Sequence, residues 1–452
     1  MKNSIHFNFF LLVAFIAFQP AGWAQGVTQS KFRASVVKID VTPDQPKQLL
    51  GYSARVSTGV HDRIYHRIVA IDDGENKFFL VSSDFCVMAP SHYDRTAALL
   101  QKRFGIDPLN FWWSLTHTHS APEVGPPGLP EVFMGDRYKH PVDTAYSNYV
   151  DKLLMDGIEE AIKKLEPARL GVGWGFAMAN INRRAVQENG KATLGLNLYG
   201  AVDRRIGLIR LEKENGNPIA LISNYAIHGT VLGGQNTEIS GDVAGIVSEY
   251  VEQKIGAPVL FINGAAGNIG PIYSVYPNPR AGHLNEYRVI LGDKIVEANK
   301  RLSHFYDTVK IFTGKAIVES PRREGLGWPE YMGDYTRTTK DGVNLVKLPI
   351  RFLKLTNDIA IWSAPLELFC EISNDIRDRS PFQYTMYYGY TNGWLGYLPN
   401  EDAWKYGGYE VEMVSPFTRV VQKDITETVL GYLEGEMNNP QPPSKKSRKK
   451  QK

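Results

Sequence analysis

The stretch Leu109-Asn110-Phe111-Trp112-Trp113-Ser114-Leu115-Thr116-His117-Thr118-His119-Ser120 is an apolar, strand-like run that ends on two histidines separated by one residue. In a strand, residues i and i+2 project from the same face, so the spacing predicts two imidazoles side by side at a strand end. That is a place for a metal ion. An isolated His-x-His serves equally well as a pair of structural hydrogen-bonding groups, so the rest of the chain has to decide between the two readings.

Before this stretch, Ser35 to Ile39, Ile64 to Asp72 and Lys77 to Ser82 read as strands, and Ser91 to Phe104 as a helix. After it comes a Pro/Gly-rich loop, Ala121 to Asp143, long enough to suggest a functional role. Helical spacing covers Ala145 to Leu165, and a β run covers Arg169 to Phe176. Strands Ile206 to Leu211 and Ile219 to Tyr225 pair across Asn215-Gly216. Helix Gly241 to Ile255, strand Val259 to Ile262 and a long helix, Leu284 to Leu302, follow. Strands Val309 to Val318, Leu345 to Leu355 and Ile359 to Trp362 lead to a helix near Leu366 to Arg377 and an amphipathic helix around Arg419 to Leu433. This order mixes βα units with hairpins. It predicts an α/β fold in one domain, residues 30–437, with a large mixed β-sheet flanked by helices and catalytic loops at strand ends.

The two ends read differently. Met1-Lys2, the apolar run Phe9 to Phe18, and then Pro20, Gly22 and Ala24 have the layout of a signal peptide over residues 1–24. Its run of about ten apolar residues is too short to cross a bilayer of roughly 30 Å, and no later stretch is a transmembrane candidate. The expected location is therefore secreted or periplasmic. The formal charge of +3 belongs to the tail, residues 438–452, where Lys445, Lys446, Arg448, Lys449, Lys450 and Lys452 cluster in a segment expected to be disordered. No aromatic residues interleave with these cations, so no nucleic-acid partner is expected. Cys86 and Cys370 are the only cysteines, too few for a disulfide scaffold, and whether they pair depends on their separation in space.

Three further stretches carry metal-ligand chemistry at the ends of strands. Ile222 to Thr230 hands over His228, and Trp362 to Glu367 reaches a carboxylate at an expected helix start. The glycine- and aromatic-rich loop Gly389 to Pro399 contains Tyr397. Taken singly, each has an ordinary structural explanation: a hydrogen-bonded core histidine, a carboxylate favouring a helix dipole, a packed aromatic loop.

As an ordered set, these stretches resemble the neutral/alkaline ceramidase family, whose zinc amidase domain carries the same signatures in the same order. The resemblance runs from about Val36 to about Glu412. It includes Gly51-Tyr52, Asp84 in Val81-Ser82-Ser83-Asp84, Thr116-His117-Thr118-His119-Ser120, and Asn180-Ile181-Asn182-Arg183. It continues through His228-Gly229-Thr230, Ser240-Gly241-Asp242 and Pro365-Leu366-Glu367 to Tyr397 and Tyr409-Glu410. The resemblance implies Zn2+ held by His117, His228, Glu367 and Tyr397, a set that leaves room for a water, which zinc acidifies to a pKa of roughly 7. It further implies His119 as proton carrier or oxyanion donor, with Arg183 and Tyr409 lining the site.

Where the family carries a Gly-Asp-Val-Ser-Pro stretch, this chain reads Gly267-Asn268-Ile269-Gly270-Pro271, so the serine's substrate contacts are missing. The sequence runs only a short way past the amphipathic helix, so the family's C-terminal β-sandwich domain is not expected. The expected function is an exported zinc-dependent hydrolase attacking the carbonyl of a small-molecule amide or ester substrate. Trp394, Trp404, Tyr406 and Tyr409 equally suit a glycoconjugate stacking on a ring, so a carbohydrate-directed zinc hydrolase stands as the alternative, alongside a binding protein that has lost catalysis. Oligomeric state is not legible.

Overall fold

The computed structural model describes Met1 and residues 32–135, 140–273 and 283–435. Apart from Met1, the expected signal peptide and the basic tail lie outside the described residues. Three five-stranded mixed sheets form the body, so the α/β class with flanking helices holds while its strands are shared among several sheets.

All three sheets contain the same unit. In the first, Lys77–Ser83 runs through helix Pro90–Phe104 to a parallel partner, Phe111–Leu115. In the second, Pro218–Tyr225 runs through helix Asp242–Ile255 to Val259–Asn263. In the third, Ile359–Ser363 runs through helix Cys370–Arg379 to Tyr384–Tyr388. The other pairings within these sheets are antiparallel. Parallel neighbours need a crossover, and a crossover leaves loops at the carboxyl ends of the paired strands, where ligands of α/β folds bind. His117, His228, Glu367 and Tyr397 all follow such ends.

Local chemistry sets the helix limits. Pro at the first turn opens Pro90–Phe104, and Gly105, at φ 69°, closes it with its N–H on the Gln101 carbonyl. Burial then locks the sheets together. Val69, Phe78 and Leu80 of the first sheet meet Leu170, Ile209 and Ile222 of the second and Leu353 and Ile361 of the third in one apolar cluster.

Three expectations need correction. The long helix Leu284 to Leu302 is broken into a 3-10 turn, His283–Glu286, a π-helical turn, Arg288–Asp293, and a short α-helix, Lys294–Lys300. Its apolar spacing is real, but the wider π turn reads the same in sequence. The helix expected to begin at Leu366 begins at Cys370, because Glu367–Leu368 pairs in parallel with Tyr397–Leu398. The loop Ala121 to Asp143 contains a short helix, Pro130–Met134. Cys86 and Cys370 are both buried and free. Among the described residues no helix is long and apolar enough to cross a membrane.

Candidate metal centre

The histidine strand ends at Leu115, before either histidine. His117 turns into the left-handed region, φ 63°, while its N–H donates to the Phe85 carbonyl at 2.9 Å. The two imidazoles therefore do not share a strand face as the spacing suggests. They meet at a turn, with rings perpendicular and Nε2 atoms 3.1 Å apart. Gly229 makes this possible: a Cβ there would lie 2.6 Å from the His117 carbonyl oxygen, so only glycine lets the two histidine segments run backbone against backbone. His119 N–H donates to the Gly229 carbonyl at 2.9 Å, which seats His228 beside both.

Asn263, at the end of the parallel partner strand, clamps the same junction. Its side chain accepts from Ile227 N–H at 3.0 Å and donates to the Ile227 carbonyl at 2.7 Å and the Thr116 carbonyl at 3.3 Å. A second close approach brings in the carboxylate. A Cβ on Gly267 would lie 2.5 Å from the Glu367 carbonyl oxygen, so the Ala266–Ile269 turn can lie directly on the Glu367 segment.

Hydrogen bonding then fixes which atoms face inward. His117 Nδ1 lies 2.9 Å from the Cys86 carbonyl oxygen, and His228 Nδ1 lies 2.8 Å from that of Ala266 and 3.0 Å from that of Ile269. A carbonyl only accepts, so each Nδ1 carries a proton and each Nε2 is left to face the site. Both Nε2 atoms converge on one carboxylate oxygen: Glu367 Oε2 is 3.2 Å from His117 Nε2 and 3.0 Å from His228 Nε2. The Tyr397 hydroxyl oxygen completes the set at 3.3 Å from His228 Nε2. Groups of this kind, packed this closely and buried, can hold a cation, and two imidazoles, a carboxylate and a phenol suit zinc. The donor set fits the metal that the sequence suggests.

The electrostatics agree. Burial raises the Glu367 carboxyl, but His117 and His228 outweigh it and hold it well below the usual range. Burial lowers His117, yet Glu367 and Cys86 beside it carry the imidazole up to about 10. His228 moves the other way, to about 3, through burial and the nearby Arg183 guanidinium. The directions differ because Glu367 and Cys86 outweigh burial at His117, whereas burial and Arg183 prevail at His228.

Arg183 is buried, not a surface ion-pair residue. Its Nε donates to Glu410 Oε1 at 3.1 Å and its terminal nitrogen to the Tyr397 hydroxyl at 2.9 Å. Arg184 donates to the other Glu410 oxygen, so one carboxylate anchors both guanidinium groups. His119 is partly exposed, and its Nδ1 has no hydrogen-bond partner among the described residues. Tyr409 is also partly exposed, with its ring 6.0 Å from that of Tyr397. Gly270 pairs with Ile181 in the short strand whose Ile269 carbonyl supports His228, so the position without a side chain adjoins the centre.

Several supporting contacts are not legible in the sequence. Asn263, Glu410 and the Cys86 and Ala266 carbonyls all orient candidate ligands, and Trp394 and Tyr390 both donate to Glu367. Trp394 is 4% exposed with its indole N–H engaged, so it offers no ring face for sugar stacking.

Known proteins resemble this chain in both sequence and fold. The profile described as neutral/alkaline non-lysosomal ceramidase, N-terminal, matches residues 32–264, just over half of the chain. Neutral ceramidase B of Dictyostelium discoideum is 30% identical over 246 residues, 52% of this chain and 33% of that protein. The neutral ceramidase of Pseudomonas aeruginosa is 25% identical over 258 residues, 54% of this chain and 38% of its own. The matched stretch thus spans about a third of the length of these relatives. The fold extends further. A solved ceramidase complexed with C2 superposes with a TM-score of 0.72 at 17% identity, covering 90% of this chain and 75% of that one. The crystal structure of the P. aeruginosa neutral ceramidase gives 0.70, covering 89% and 74%. With the profile lying across the strands that deliver His117 and His228, the chain belongs to the neutral/alkaline non-lysosomal ceramidase family.

Proposed function

We propose that this chain is an exported, zinc-dependent amidohydrolase that cleaves the amide bond of an N-acylated amphiphile of the ceramide type. The observation that carries the reading is the convergence of four acceptor atoms, from His117, His228, Glu367 and Tyr397, with each imidazole's other nitrogen tied to a backbone carbonyl. Those four residues would hold the ion. When bound, zinc supplies Lewis acidity toward a carbonyl oxygen and toward water, whose pKa it lowers to roughly 7.

The remaining steps belong to the protein. His119 differs from the other two imidazoles in having an Nδ1 free of any carbonyl, so its ring can take a proton at Nε2 and return it to the leaving amine. The phenol of Tyr409 and the guanidinium of Arg183 are donors for the oxygen on which negative charge develops. Arg183 is held for that role from the far side by Glu410. Gly270 contributes no side chain, so His119, Arg183 and Tyr409 are the polar groups left to orient the substrate. The leader-like residues 1–24 support export to a secreted or periplasmic location.

The test is hydrolysis of a fluorescent short-chain ceramide by the purified mature protein, with metal content measured on the same sample. The expected result is cleavage lost on chelation and restored by zinc. Bound zinc with an inert ceramide and turnover of another amide or ester would keep the metal centre and change the substrate. Zinc without turnover of any amide or ester would overturn the hydrolase reading.

A further inference from the structure

The loop between Tyr388 and Tyr397 does more than carry one candidate ligand. It is zipped onto the histidine strand: Leu115 N–H donates to the Tyr390 carbonyl at 3.1 Å and Asn392 N–H to the Trp113 carbonyl at 2.8 Å. Trp113 N–H donates back to the Asn392 side chain at 2.8 Å, and the Ser114 and Thr391 hydroxyls pair at 2.7 Å. On its other side the same loop holds the Glu367 segment. Leu395 N–H donates to the Pro365 carbonyl at 2.7 Å and Glu367 N–H to that of Gly396 at 3.1 Å. Tyr390 and Asn392 sit at φ 51° and 65°, left-handed positions that turn the loop between these two neighbours.

Two aromatic side chains of this loop reach the centre. The Tyr390 ring stacks on the His117 imidazole with centroids 4.1 Å apart, and its hydroxyl donates to Glu367 Oε2 at 3.3 Å. The Trp394 indole N–H donates to Glu367 Oε1 at 2.9 Å. That bond uses the carboxylate oxygen that does not face the histidines. A carboxylate free to rotate presents either oxygen to an ion, whereas the indole N–H on Oε1 fixes the rotation with Oε2 toward the histidines.

We propose that Trp394 is a positioning residue of the metal centre, whose indole N–H holds Glu367 Oε1 and so keeps Oε2 turned toward His117 and His228. This rests on the proposed zinc site. A purely structural role is the competing account, since the Trp394 ring also packs edge-on against Phe133 from the helix Pro130–Met134, with centroids 6.0 Å apart. The two accounts differ in what the N–H does.

Trp394→Phe keeps an aromatic ring against Phe133 and removes the N–H, Trp394→Tyr keeps a ring and restores a donor, and Phe133→Ala removes the packing and keeps the N–H. Zinc affinity of the metal-stripped proteins is measured by competition with a chromophoric chelator, and melting of the stripped forms is followed in parallel. The expected result is an affinity about 10- to 100-fold weaker in Trp394→Phe, partly recovered in Trp394→Tyr and unchanged in Phe133→Ala. Wild-type affinity in Trp394→Phe overturns the inference whatever happens to its melting temperature. An equal loss in Phe133→Ala overturns it too, because packing then accounts for the effect. Failure of the wild type to bind zinc removes the site on which the inference rests, an outcome distinct from binding that Trp394→Phe leaves intact.

Discussion

Two buried clusters of charge sit close to the same strand ends and are built on opposite logic. In the first, the Arg67 guanidinium, 1% exposed, lies between Asp84 at 2.9 Å and Glu252 at 2.8 Å. Each contact joins a donor to an acceptor, and the charges answer one another. In the second, the His117 and His228 Nε2 atoms, the Glu367 carboxylate and the Tyr397 hydroxyl meet at similar distances, all of them atom types that can ligate a metal ion. A buried cluster whose cation is a side chain holds a fold together; one whose facing groups are all of metal-ligand type can take an ion.

The largest effect that separates the two comes from removing an acceptor. His117→Ala or His228→Ala is expected to lose zinc retention and hydrolysis together, with affinity falling by at least about 100-fold, as read by metal analysis after gel filtration. A variant that keeps its zinc would show that the imidazoles do not face an ion. Next comes His119→Ala, which should keep the metal while turnover falls by about 10²- to 10⁴-fold in a saturating-substrate assay. Loss of zinc there would make His119 a ligand.

Arg67→Met probes the closed cluster. It leaves Asp84 buried without its cation, while Glu252 keeps Lys38 at 2.6 Å, so urea unfolding should show a loss of about 3–5 kcal/mol while the folded protein still takes up zinc. Disappearance of the metal site with Arg67 would erase the distinction drawn here.

The smallest effect is one of pH. In the metal-free protein His117 is carried up to about 10 by Glu367 and Cys86 against the pull of burial. A histidine raised on folding adds stability that is full below about 6.5 and fades as the pH climbs toward 10. Zinc displaces the same proton, so its affinity should rise across that window, with about one proton released on binding. Melting of stripped and zinc-loaded protein from pH 6 to 10 checks this: the stripped form should weaken with rising pH, and the loaded form should lack this loss.

Much of this was legible in the chain. Strand Arg169–Phe176 has the limits that its β run suggests, and the histidine, glutamate and tyrosine positions stand out once several motifs are read in order. Gly229, directly after His228, is the one visible trace of the backbone contact that seats the histidines together. Other features left no such trace. The convergence of His117 and His119 depends on one left-handed residue, which a strand-like period of two cannot reveal. The carbonyls of Cys86 and Ala266 orient the imidazoles, and backbone groups carry no sequence identity. Trp394 reaches Glu367 across 27 residues, and Arg67 reaches Glu252 across 185, pairings that only the assembled sheets bring about.

The most direct test of the proposed metal centre is calorimetric titration of the metal-stripped protein with zinc, alongside His228→Ala. The account predicts one tightly bound ion per chain in the wild type and no tight binding in the variant. Absence of tight binding in the wild type, or equal binding in both proteins, would contradict it.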